Sequence, residues 1–103
     1  MSRRVVFSVE ALDDLRRLAD WIADQAGVGV ADRYTERLRT FCRRLDLFPE
    51  RGSRRDDVSV GLRVIGFERR VAVAFRVGEQ EVVIARLLYG GRDLDSILGS
   101  DAD

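Results

Sequence analysis

A chain of 103 residues with 46% apolar content holds enough material for one packed core, too little for two, and is too apolar to remain disordered. Eighteen arginines balance eighteen acidic residues, with no lysine, no histidine and a single cysteine, Cys42. That inventory excludes an internal disulfide, a zinc site of the usual ligands and a Ser–His or Cys–His nucleophile pair, so neither a metal nor any other cofactor is expected.

In chain order, Arg3–Ser8 (RRVVFS) reads as a short strand. Ser8 is placed to cap a helix, with Glu10, Asp13 and Asp14 near its positive end. Leu12, Leu15, Ala19, Ile22 and Ala26 recur at helical spacing and predict one apolar face, ended by Gly27 and Gly29. Ala31, Tyr34, Leu38, Phe41, Leu45 and Phe48 predict a second helix, stopped by Pro49. The short glycine-bearing link makes the pair an antiparallel hairpin. Pro49–Asp57 is a polar loop carrying Arg51, Arg54 and Arg55.

The remainder predicts three strands, Gly61–Phe67, Val71–Val77 and Glu81–Leu88, with breaks short enough to require antiparallel pairing. A helical turn is expected near Asp93–Leu98. The expected fold is α+β in the order β-α-α-β-β-β, a single domain over residues 1–103. The helical hairpin packs on one face of an antiparallel sheet, and the other face stays partly open. No segment is long and apolar enough to span a membrane, and the start lacks an apolar signal core, so the expected setting is the cytoplasm.

Charge is segregated along the chain. Residues 51–92 carry nine arginines against five acids, a net of +4, while residues 93–103 carry four aspartates and no base. Arg63, Arg76, Arg86 and Arg92 lie on or just after the strands. They are read either as a solvated sheet face or, since they converge, as recognition groups for carboxylate or phosphate. Tyr89 is open to three readings: a contact residue, a catalytic phenol, or a core aromatic with its hydroxyl at the rim. Gly90-Gly91 is a plain turn or a phosphate cradle. Trp21 sits beside the apolar stripe of the first helix, where it caps the core or receives a partner chain. Cys42, next to the second stripe, is expected to be an inert packed thiol.

Three motifs carry a resemblance across nearly the whole chain. Val6-Phe7-Ser8-Val9-Glu10-Ala11 resembles a strand-to-helix entry, with Val9 where a proline is common. Phe48-Pro49-Glu50-Arg51-Gly52 resembles a helix exit. Leu87-Leu88-Tyr89-Gly90-Gly91-Arg92-Asp93-Leu94 resembles a C-terminal signature in which histidine often stands in place of Tyr89. Together they resemble the RelE/ParE toxin superfamily, and most closely its ParE branch, the plasmid-stabilisation proteins.

The resemblance implies a toxin that inhibits DNA gyrase and is held inactive by a cognate ParD-type antitoxin, with DNA reached only through the antitoxin and no membrane role. For such a toxin, the basic sheet segment and the partly uncovered helical hairpin predict antitoxin contacts at Trp21, Arg63, Arg76 and Arg86, and the rigid end of the last strand predicts target contacts at Tyr89, Gly90, Gly91 and Arg92; Arg92 and Arg63 resemble basic positions of the family. The alternatives are a RelE-like ribosome-dependent mRNA endoribonuclease or a non-toxic module that still binds an antitoxin. After Arg92 the chain has no tyrosine, histidine, lysine or arginine. RNA cleavage needs groups to move protons and neutralise phosphorane-like charge. The departure therefore favours an inhibitor over an enzyme, with no catalytic residue assigned.

Overall fold

The computed structural model describes residues 3–90. The expected turn at 93–98 and the predicted contact residues Gly91 and Arg92 lie outside them. A strand, β1 (Arg4–Phe7), leads into α1 (Val9–Ala26) and α2 (Val28–Arg43), the latter continued by a 3-10 turn at Arg44–Asp46. Then follow β2 (Ser53–Arg54), β3 (Leu62–Phe67), β4 (Val71–Val77) and β5 (Glu81–Tyr89). The strands form one sheet in the order β1-β5-β4-β3-β2.

The three consecutive strands β3, β4 and β5 pair antiparallel, as their short connections demand. β1 pairs with β5 in parallel, from Arg4 opposite Glu81 to Phe7 opposite Ile84, so the sheet is mixed rather than wholly antiparallel. Both helices and three strands separate β1 from β5, and a connection that long does not dictate strand direction. The two-residue β2, inside the expected loop, pairs with β3. Both sheet edges are blunted, one by the shortness of β2 and the other by the exposed Arg4–Glu81 ion pair on β1, 3.3 Å long.

The Ser8 cap forms as expected: its Oγ accepts from the Ala11 N–H at 3.0 Å. Gly27 alone joins the helices. At φ +98° it ends α1 and starts α2, whereas Gly29 lies inside α2. The buried face of α1 is Ala11, Asp14, Leu15, Leu18 and Ile22. Leu12, expected there, is 52% exposed. α2 buries Ala31, Tyr34, Thr35, Leu38 and Cys42, and Phe48, beyond the 3-10 turn, is exposed. These faces pack on Val73, Phe75, Val82, Ile84 and Leu87 of the sheet. Each such large apolar side chain contributes roughly 1.5–3 kcal/mol on burial. On the other sheet face, Leu62 and Ala74 are covered by Val58 and Val64, so the 55–61 loop shields part of it. Among the described residues no helix is long and apolar enough to cross a membrane.

Candidate functional site

The end of β5 is fixed by α1. β1 stops at Phe7, so from Ala85 onward β5 has an edge with no strand beside it. The ladder with β4 is also irregular here: Ala74 faces Arg86 but Phe75 faces Ile84, leaving Ala85 as an extra residue. The start of α1 supplies the missing partners. The Ser8 N–H donates to the Ile84 carbonyl at 2.9 Å and its hydroxyl to the Ala85 carbonyl at 2.8 Å. Asp14 Oδ2 accepts from the Leu87 N–H at 2.9 Å and from Arg86 Nε at 2.8 Å, while Oδ1 accepts from Arg86 Nη2 at 3.1 Å.

This geometry places Arg86, expected at the antitoxin contact, in an internal ion pair. Its side chain is 17% exposed and that of Asp14 7%. The fork that would grip a partner's carboxylate already grips an internal one. Asp14, which holds both Arg86 and the Leu87 N–H, is the neighbour that sequence reasoning missed. The signal was present: Asp14 lies between Ala11 and Leu15 on the buried face of an amphipathic helix, where an unpaired carboxylate would be costly.

Beyond the clamp, Trp21 of α1 and Tyr89 of β5 meet with ring centroids 4.9 Å apart at 49°. They line a cleft of about 360 Å³ with Asp14, Arg17, Leu18 and Leu87. Two residues assigned to different partners, Trp21 to the antitoxin and Tyr89 to the target, therefore share one surface. Trp21 is half exposed. The Tyr89 hydroxyl accepts from Arg70 Nη1 at 3.5 Å, and this bond raises the Arg70 pKa, keeping the guanidinium charged. Gly90 turns the chain at φ +77° while its N–H donates to the Arg70 carbonyl at 3.1 Å. Tyr89 and Gly90 are thus held to the β3–β4 turn as well as to α1.

Arg63 and Arg76 do not converge with this cleft or with each other. Arg63 lies opposite Phe75 on the helix side of the sheet and reaches the Arg51 carbonyl at 3.5 Å. Arg76 lies opposite Leu62, on the other side, and donates to the Ser59 hydroxyl. Strand alternation separates them, since Phe75 and Arg76 are consecutive. Tyr34, expected as plain core, packs edge-on to Phe67 at 5.7 Å and carries the Arg37 guanidinium 5.2 Å from its ring centre. Burial raises its hydroxyl pKa, with Glu68 adding to the effect. Cys42 is buried and its pKa is pushed up to about 12 by desolvation, so the thiol is inert as expected. Among the described residues no three carboxylate or thiol side chains gather as a metal requires. What this end offers a ligand is guanidinium charge and aromatic surface, the composition of an interaction patch.

The family model described as "ParE toxin of type II toxin-antitoxin system, parDE" matches residues 5–94. The chain is 32% identical over 96 residues to Toxin ParE3 of Caulobacter vibrioides, covering 93% of this chain and 95% of that protein. Among solved structures, it is similar to a chain of the chromosomal ParDE TA system from P. aeruginosa, with a TM-score of 0.75 and 21% identity. That match covers 85% of this chain and 96% of the other, and it is a likeness of fold.

Proposed function

We propose, starting from the fact that this chain belongs to the ParE toxin family of type II toxin–antitoxin systems, that it poisons DNA gyrase and is neutralised by a ParD-type antitoxin. The observation that carries this reading is the Trp21–Tyr89 cleft at the clamped end of β5. A rigid aromatic pair beside Arg70 is built to bind a protein surface. It is poorly equipped for RNA cleavage: the chain has no histidine or lysine, and arginine stays protonated at any working pH. Tyr89, Gly90, Gly91 and Arg92 contact the target. The antitoxin covers Trp21 and brings carboxylates to Arg63 and Arg76, and DNA is reached only through it.

The test is expression of the chain without its antitoxin, with gyrase supercoiling, DNA breaks and mRNA ends measured together. The expected result is growth arrest with DNA breaks and intact mRNA. Codon-positioned mRNA cuts that vanish in Tyr89→Phe, without DNA breaks, would replace gyrase with the ribosome as the target. Arg92→Ala is expected to relieve growth arrest while leaving the thermal melt nearly unchanged. A large loss of stability would make Arg92 structural.

A further inference from the structure

A second groove, about 560 Å³, lies between α2 and the end of β3. Its floor is aromatic: Phe41 and Phe67 tilt against each other with centroids 5.1 Å apart. Its rim follows one helical stripe, Arg33, Arg37, Thr40 and Arg44, at steps of four, three and four. The middle of that rim is neutralised internally. Arg37 donates to Glu68 through Nε at 3.0 Å and Nη2 at 3.2 Å, and Glu36 lies 3.7 Å from Arg39. The two ends are not neutralised. Arg33 and Arg44 are exposed and have no acidic partner among the described residues. Eleven residues of helix separate them by about 16 Å along the axis.

We propose that this groove takes an acidic peptide segment of the antitoxin, with carboxylates at Arg33 and Arg44 and an apolar side chain on the Phe41–Phe67 floor between them. The proposal rests on the antitoxin reading above and adds a site on α2 to the Trp21 surface on α1. The charge pattern selects a peptide over nucleic acid. A phosphate backbone laid between the two arginines would run past Glu36 and Glu68, both of which line the groove. A peptide varies its charge residue by residue and can present an apolar group there instead. Docking at two separate places on one toxin also raises the effective concentration of each antitoxin segment for its own site.

The experiment measures affinity between the full-length toxin and the full-length antitoxin encoded beside it, at two salt concentrations. The Arg33→Glu/Arg44→Glu variant should bind at least tenfold more weakly and with a shallower salt dependence. Thr40→Trp, which fills the middle of the groove from an exposed position, should also bind at least tenfold more weakly. Arg4→Ala on β1 should stay within twofold of the parent. If the parent binds and both groove variants match it, the groove proposal is overturned and the antitoxin reading stands. If the parent does not bind, the antitoxin reading itself fails, and the proposal with it. A 12-nucleotide single-stranded DNA that binds the parent, is lost in the arginine reversal and competes with the antitoxin would overturn the peptide assignment.

Discussion

Arg86 and Arg33 carry the same side chain into opposite environments. Arg86 is 17% exposed, and its guanidinium is held by a carboxylate that also accepts a backbone N–H. Arg33 stands on an exposed helix face with no acid opposite among the described residues. The sequence points to the strand arginines as recognition groups, because they sit on the basic, β-branched part of the chain. The fold changes that order at Arg86. Arg86 is held by the Asp14 carboxylate, whereas Arg63 and Arg76 meet only a neutral carbonyl and a neutral hydroxyl and keep their charge. The helix arginines, which looked like ordinary solvated charge, retain their binding capacity. Regional net charge cannot reveal this, because what matters is which acid the topology brings within 3 Å.

The sharpest way to break the contrast is Asp14→Ala. It strands a buried guanidinium and leaves the Leu87 N–H without its acceptor. Removing one partner of a buried pair costs about 3–5 kcal/mol, against roughly half a kcal/mol or less for an exposed side chain such as Arg33. Thermal melts should therefore show Asp14→Ala lowered by more than about 10 °C and Arg33→Ala nearly unchanged. Equal melts would mean that the Asp14 clamp contributes little to folding. Asp14→Asn should fall between them, because the amide oxygen can still accept from Leu87.

A smaller effect tests whether Arg63 is also structurally committed. Gly52 sits at φ +74°, and a Cβ there would lie 2.3 Å from the Val64 carbonyl oxygen. Gly52→Ala must push β2 away from β3 and carry the Arg51 carbonyl away from Arg63. The expected cost is about 2 kcal/mol by chemical denaturation, from backbone strain and overpacking together. If stability holds, β2 and the Arg51 carbonyl it carries to Arg63 are dispensable to the fold.

Local chemistry was legible wherever it was decided within a few residues. The Ser8 cap, the three antiparallel strands, the inert Cys42 and the α+β order follow from spacing and residue type. What escaped was decided across the chain. The parallel seat of β1 depends on where two helices return the chain. Asp14 looked like one more acid favouring a helix N-terminus, although its partners lie 72 and 73 residues away. Leu12 and Phe48 fitted the apolar period and still face solvent, because the buried stripe of α1 is centred on Ala11, Leu15, Leu18 and Ile22 and α2 ends before Phe48. Trp21 and Tyr89 were each noticed, but their contact belongs to the tertiary fold.

The exposed class can be probed without removing a contact. The β3–β4 turn places Glu68 at φ +50° and Arg69 at φ +61°, conformations that residues bearing a Cβ adopt at a cost. Arg69 makes no ion pair among the described residues, so Arg69→Gly should relieve strain and lose nothing in the fold. The gain should be up to about 1 kcal/mol, reduced by the extra freedom of glycine in the unfolded chain. A protein that melts higher but arrests growth less would assign Arg69 to target contact. Unchanged toxicity would leave Arg69 outside the target contact.

The smallest expected effect concerns the Arg37–Glu68 pair at the α2 groove. Arg37 holds the Glu68 carboxyl below its ordinary value of 4.5, with Arg70 helping at longer range. A carboxyl whose pKa is lower folded than unfolded adds stability above the unfolded value and loses it as pH falls through the folded one. The contribution should therefore be present at neutral pH and fade on acidification below about 4.5. It is small, because both side chains are roughly half exposed and water screens them. Melts of the parent and Glu68→Gln should differ by at most a few degrees at pH 7 and converge once the pH has fallen through the lowered folded value, where the parent's carboxyl also becomes neutral. Raising the salt at pH 7 should narrow the same gap. A gap that persists at low pH would show that Glu68 holds the turn through hydrogen bonding rather than charge. The groove's central charges would then be less firmly paired than those of the Asp14 clamp, and Arg37 would join Arg33 and Arg44 as a contact for the antitoxin.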